Sequence, residues 1–75
     1  MRLSNVERNK NYKVVKVLLD DKLSRRLADI GIYEGSNIKL IRKSISGATY
    51  LFEIMKIAVA LRRAIVVNII VKDND

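Results

Sequence analysis

The chain has 75 residues, with 15 Lys+Arg against 8 Asp+Glu for a net charge of +7, and it contains no Cys, His, Pro or Trp. Those absences exclude disulfides, zinc fingers, haem ligation and CxxC redox chemistry, and they leave only oxygen ligands for any metal. A domain this small without a staple must be held by apolar packing, for which 26 Val, Ile and Leu residues are available.

Met1 to Val6 lack the apolar run of a signal peptide. From Tyr12 to Leu19 the residues alternate, with Val15, Val17 and Leu19 on one face and Tyr12, Val14, Lys16 and Leu18 on the other. This predicts a first strand, buried mostly on one side. The pattern changes at Asp20-Asp21, where an Asp can cap a helix start. Leu23, Leu27 and Ile30 then recur at i, i+4 and i+7, and Gly31 supplies a left-handed residue after the helix. A short helix is therefore predicted over about residues 21–30, with Lys22, Arg25, Arg26 and Asp29 on its outer face.

The turn segment Gly31 to Gly35 leads into a second half-buried strand carrying Ile38 and Leu40 and ending at Arg42-Lys43. Ser44-Ile45-Ser46-Gly47 predicts another turn, after which Tyr50, Phe52 and Ile54 alternate along a third strand. Ile57, Val59 and Leu61 alternate with Ala58 and Ala60, and Val67, Ile69 and Val71 alternate with Val66, Asn68 and Ile70. Two more strands follow on either side of the Leu61 to Ile65 segment, and Lys72 to Asp75 is expected to fray. Five strands and one helix favour a small closed barrel, because closure removes exposed edges. A two-layer α+β sandwich with the helix across one face is the alternative. Residues 1–75 are expected to form one domain.

The most apolar stretch, Ile54 to Val71, is interrupted by Lys56, Arg62-Arg63 and Asn68, and two arginines at mid-span are costly in lipid. A soluble, cytoplasmic chain is expected. Catalysis has little to stand on: no His or Cys activates a nucleophile, and Gly31, Gly35 and Gly47 match no phosphate-binding loop. No catalytic residue, cofactor or metal site is expected. Asp20-Asp21 reads as a helix cap, since a ferrous site wants imidazole or several converging oxygens rather than two adjacent carboxylates.

The run Leu23-Ser24-Arg25-Arg26-Leu27-Ala28-Asp29-Ile30-Gly31-Ile32, followed by Gly35 and Ile38, Arg42 and Gly47, and then Val59-Ala60-Leu61-Arg62-Arg63 with Ile69 and Val71, resembles the FeoA family. Its members carry an RRLxDLGI helix, a downstream turn glycine, an APxG-like turn and a late aLRr segment. The chain departs from that pattern with Glu34 and Ile45 where the family often has Pro, with Lys56 where it often has Gly, and with Ala64-Ile65 where polar residues are usual. The resemblance implies an SH3-like barrel and a cytosolic accessory protein of bacterial ferrous-iron uptake. It further implies action on or with FeoB, the membrane transporter that carries a GTPase domain, and a family-level association with transition-metal binding.

The candidate partner-binding residues are Arg25, Arg26, Arg62, Arg63 and Ile65. Arg25 and Arg26 lie on the outer helix face, with Arg25 placed to pair with Asp29 at i, i+4. Neighbours in an extended segment point to opposite sides, so at most one of Arg62 and Arg63 faces the interior. The other, beside Ala64 and Ile65, has the composition of an interface anchor; salt pairing is its plainer role and an arginine finger toward a GTPase its sharper one. Met55, Ala58, Ala60, Ile65, Val66 and Ile70 fall on the register opposite to the expected core, which points to an exposed apolar patch for a partner or a homo-oligomer. The alternative function is a basic barrel that binds nucleic acid through Arg2, Arg8, Lys10, Lys13, Lys16, Lys39, Arg42 and Lys43. Four aromatic rings in the whole chain weigh against base stacking.

Overall fold

The computed structural model describes residues 1–74. A 3₁₀ turn at Leu3–Asn5 precedes β1 (Asn11–Val17), α1 (Asp21–Asp29), β2 (Asn37–Lys43), β3 (Thr49–Ile54), β4 (Ile57–Arg62), α2 (Arg63–Val66) and β5 (Ile69–Asp73). The strands form one antiparallel sheet in the order β4-β3-β2-β1-β5. Tyr12, Val14, Ile38, Leu40, Tyr50, Phe52, Ile54, Leu61, Ile69 and Val71 bring all five strands into one core. The expected mainly β architecture with a single longer helix is what forms.

Several departures from simple periodicity have physical causes. In β1, Val14 pairs with Val71 and Lys16 with Ile70, leaving Val15 as a bulge without a partner. The extra residue moves the core-facing register from Tyr12 and Val14 to Val17 and Leu19, so each of the two faces read from strict alternation is half right. A second bulge at Ile41 separates the Leu40–Phe52 pair from the Arg42–Leu51 pair. The segment after β4 is not extended: residues Arg63–Val66 make a short helical turn that buries Val66 completely. This corrects the expectation that placed Val66 on the exposed register, while Arg62 and Arg63 are both exposed, within the expectation that at most one of them faces inward.

Leu3 and Val6, where no element was expected, are also core residues. Their segment is tied to the edge strand β5 and the central strand β2 by bridges from Arg2 to Ile70 and from Arg8 to Leu40. The stretch Lys72 to Asn74, expected to fray, is engaged as well. Lys72 and Asp73 pair with β1, and the Asn74 amide donates to the Asn11 carbonyl at 3.2 Å. Asp75 lies outside the described residues.

The helix ends follow the sequence closely. Asp20 caps α1 by accepting from the Leu23 amide at 2.8 Å. At the other end the Gly31 amide donates to the Ala28 carbonyl at 3.0 Å and the Ile32 amide to the Leu27 carbonyl at 2.8 Å, with Gly31 at φ 98°. This Schellman arrangement buries Ile32 against Leu27. Ile30, placed on the buried stripe by spacing alone, is the helix C-cap instead and is exposed.

Candidate docking surface

Gly31 turns the chain so that the end of α1 stands beside the β3–β4 hairpin. Between them lies a groove of about 510 Å³, floored by Ile54 and Val59 and edged by Ala28, Ile30, Tyr33, Met55 and Ile57. Ile30 and Tyr33 are exposed, and Met55 and Ile57 are 75% and 64% accessible. Water therefore contacts a mostly apolar strip interrupted by the Asp29 carboxylate, the kind of surface that marks an interaction site on a small protein.

The hairpin that forms one wall is strained. Ile54 pairs with Ile57, so Met55 and Lys56 make a two-residue turn with φ of 52° and 67°. Such turns match the twist of the strands but favour Gly or Asn, which tolerate positive φ. Lys56 stands where the FeoA pattern often has glycine. Three turn positions, Ile30, Tyr33 and Met55, thus carry large apolar side chains where turn chemistry predicts small or polar ones. That mismatch is a sequence signal for the groove, beside the off-core register that marks Met55 as part of an exposed apolar patch. Periodicity placed Ile57 in the core because it ignores where the strand runs out beyond the sheet's cover.

The candidate residues named from sequence are divided between two regions. Arg25 and Arg26 are exposed on α1, whose C-terminal end meets the Ile57 end of β4. Arg62 and Arg63 are at the other end of that strand, where Arg63 lines a separate depression with Lys43 and Ile45. Ile65 is half-buried against the core rather than standing free beside the arginines. The structure does not bring the five residues to one place. Among the described residues the ion pairs are Lys10 with Glu7 at 3.7 Å and with Asp73 at 3.3 Å, so the expected Arg25–Asp29 pairing and a salt partner for Arg62 or Arg63 are not found. Asp73 raises the pKa of Lys10 above its ordinary value of 10.5, first through the hydrogen bond and then through its charge.

No three carboxylates converge among the described residues, and Asp20 is committed to its cap. Ser36, the one buried polar residue among them, is satisfied by its own turn: its Oγ donates to the Tyr33 carbonyl at 2.8 Å and accepts from the Tyr33 amide at 3.1 Å. Of the four aromatic rings, Tyr12, Tyr50 and Phe52 are buried, and only Tyr33 presents a face to solvent.

A five-stranded sheet curled around one core, with a helical turn before the last strand and a short helix after the first, defines a small SH3-like β-barrel. Residues 1–73 match the FeoA domain, and the chain belongs to the FeoA family of ferrous-iron transport accessory proteins. It is 32% identical over 75 residues to the candidate Fe(2+) transport protein A of Helicobacter pylori, covering 99% of this chain and 96% of that protein. The solution structure of the FeoA protein from Chlorobium tepidum superposes with a TM-score of 0.90 at 25% identity, over 97% of this chain and 70% of that one. FeoA of Stenotrophomonas maltophilia, an SH3-domain protein crystallised with zinc, has the same fold, with a TM-score of 0.79 at 24% identity over 96% of this chain and 89% of its own.

Proposed function

We propose that this protein supports ferrous-iron uptake by docking, without catalysis of its own, on the cytoplasmic part of a FeoB-type transporter. The observation that carries the reading is the groove between α1 and the β3–β4 hairpin, whose exposed Ile30, Tyr33, Met55 and Ile57 fit an apolar anchor of a protein partner. Arg25 and Arg26 on the adjacent helix add charge complementarity to an acidic rim, which steers encounter more than it adds affinity. Arg62, Arg63 and Ile65 form a second, separate contact in this reading. The protein acts at the inner face of the membrane through its partner. The ferrous ion is the transporter's cargo, and this chain holds none, so an Fe(II) titration of the isolated protein is expected to give no stoichiometric heat.

The test is calorimetric binding to the purified cytoplasmic domain of the FeoB-type transporter from the same organism. The double substitution Met55→Asp/Ile57→Asp is expected to weaken binding at least about tenfold, while raised salt weakens the wild type little. Asp tolerates the left-handed backbone at position 55, so the variant keeps its fold. Wild-type affinity in the double variant would overturn the reading. Binding of single-stranded RNA with a steep salt dependence, in place of the transporter domain, would favour the nucleic-acid alternative.

A further inference from the structure

The β2–β3 connection presents Ile45 at its tip with its side chain 109% accessible, as open to water as in an extended peptide. The tip is held in this form by its own hydrogen bonds. The Ser44 amide donates to the Thr49 carbonyl at 2.8 Å, the Gly47 amide to the Ser44 carbonyl at 3.0 Å, and the Thr49 amide to Ser44 Oγ at 3.1 Å. Two depressions flank the tip. One is lined by Arg8, Arg42 and Lys43 and the other by Lys43 and Arg63, and neither contains a carboxylate. Two of these cations are positioned: Arg8 donates from Nε to the Ile41 carbonyl at 3.2 Å, and the Lys43 ammonium lies 5.7 Å from the centre of the Tyr50 ring.

Among the described residues the acidic side chains are elsewhere. Glu7 and Asp73 are paired with Lys10; Asp20, Asp21 and Asp29 belong to α1 and its cap; Glu34 follows the helix; and Glu53 is toward the far end of β3.

We propose that this end of the barrel is a membrane-contact tip, in which Ile45 enters the headgroup boundary of an anionic bilayer while Arg8, Arg42 and Lys43 bind the lipid phosphates. The chemistry of the patch selects a bilayer over other acidic partners. A nucleic acid would use the cations and leave the protruding aliphatic side chain in water, whereas an anionic lipid surface supplies phosphate and hydrocarbon at adjacent depths. The tip is at the Thr49 end of β3 and the docking groove at its Ile54 end, so a strand of about 20 Å separates them and both can be occupied at once. The proposal does not rest on the groove.

The test is co-sedimentation of the full chain with vesicles of phosphatidylcholine alone or with about one-third phosphatidylglycerol. Binding is expected only to the anionic vesicles, and it should fall as salt rises. Arg42→Ala/Lys43→Ala should lower partitioning about 25-fold, at about fivefold per charge. Ile45→Ser should lower it at least about tenfold with an unchanged melting temperature, because residue 45 is fully exposed and is no part of the core. The chain has no Trp, so Ile45→Trp makes the tip its only indole, whose emission should shift to the blue with anionic vesicles and not with inorganic phosphate. Absence of binding to anionic vesicles, equal partitioning of Ile45→Ser, or an unshifted indole in the bound state would each overturn the proposal. So would RNA binding that Ile45→Ser leaves intact in a protein that ignores the vesicles.

Discussion

Gly31→Ala tests how the helix, the core and the groove are joined. Gly31 has φ 98°, and a methyl group placed on it would meet Ile54 Cγ2 at 2.8 Å and Met55 Sδ at 3.2 Å. A left-handed backbone costs an L-residue about 1–2 kcal/mol. Ile54 is buried in the core and cannot step aside freely, so overpacking adds about 1–3 kcal/mol. The sum, about 2–5 kcal/mol, is a large share of the about 4–11 kcal/mol expected for a domain of this length. Gly35→Ala is the control: its φ of 95° carries the same backbone cost, but nothing is within 4 Å of the added methyl. Urea denaturation of both variants should show Gly31→Ala less stable than Gly35→Ala by about 1–3 kcal/mol. In thermal melts each kcal/mol corresponds to about 4–8 °C. Equal destabilisation of the two variants would refute the claim that Ile54 and the hairpin close against this turn.

Three further outcomes are expected. Lys56→Gly should stabilise the protein by about 0.5–1 kcal/mol in the same urea assay, because relief of the left-handed strain exceeds the entropy gained by the unfolded chain. Asp20→Ala should cost about 1 kcal/mol through the lost cap and reduce helicity by circular dichroism. Asp73 raises the Lys10 pKa in the folded state, so that pair's contribution is fully present below the ordinary pKa of 10.5 and is lost as pH rises through the higher folded value. Stability measured across the alkaline range should therefore fall less steeply above pH 10.5 once Asp73→Asn has removed the linkage.

Local features were legible from the sequence because their causes are local. An Asp before a helical stripe and a glycine after it specify which orphan amides and carbonyls are satisfied, and both caps form as read. The inward sets Ile38 and Leu40, Tyr50, Phe52 and Ile54, and Ile69 and Val71 follow from the two-residue period of an uninterrupted strand. The family was legible too, since its glycines and helix motif occur in order along the chain.

What the period could not supply was its own interruption. A bulge at Val15 or Ile41 is decided by how the partner strand pairs, and each one moves the register of every residue beyond it. The burial of Leu3, Val6 and Val66 depends on distant segments that need covering, so an apolar piece without periodicity and a residue that alternation turned outward both became core. The candidate sites were the least legible part. Composition and motif order established a basic, aliphatic, staple-free domain of the FeoA family without His or Cys. Only the tertiary structure decided that Ile30, Tyr33, Met55 and Ile57 gather between α1 and the β3–β4 hairpin, and that Arg8, Arg42, Lys43 and Arg63 flank Ile45 at the opposite end of β3. The physical reason is that exposure belongs to the assembled surface: a side chain on a turn is free or covered according to elements far from it in the chain.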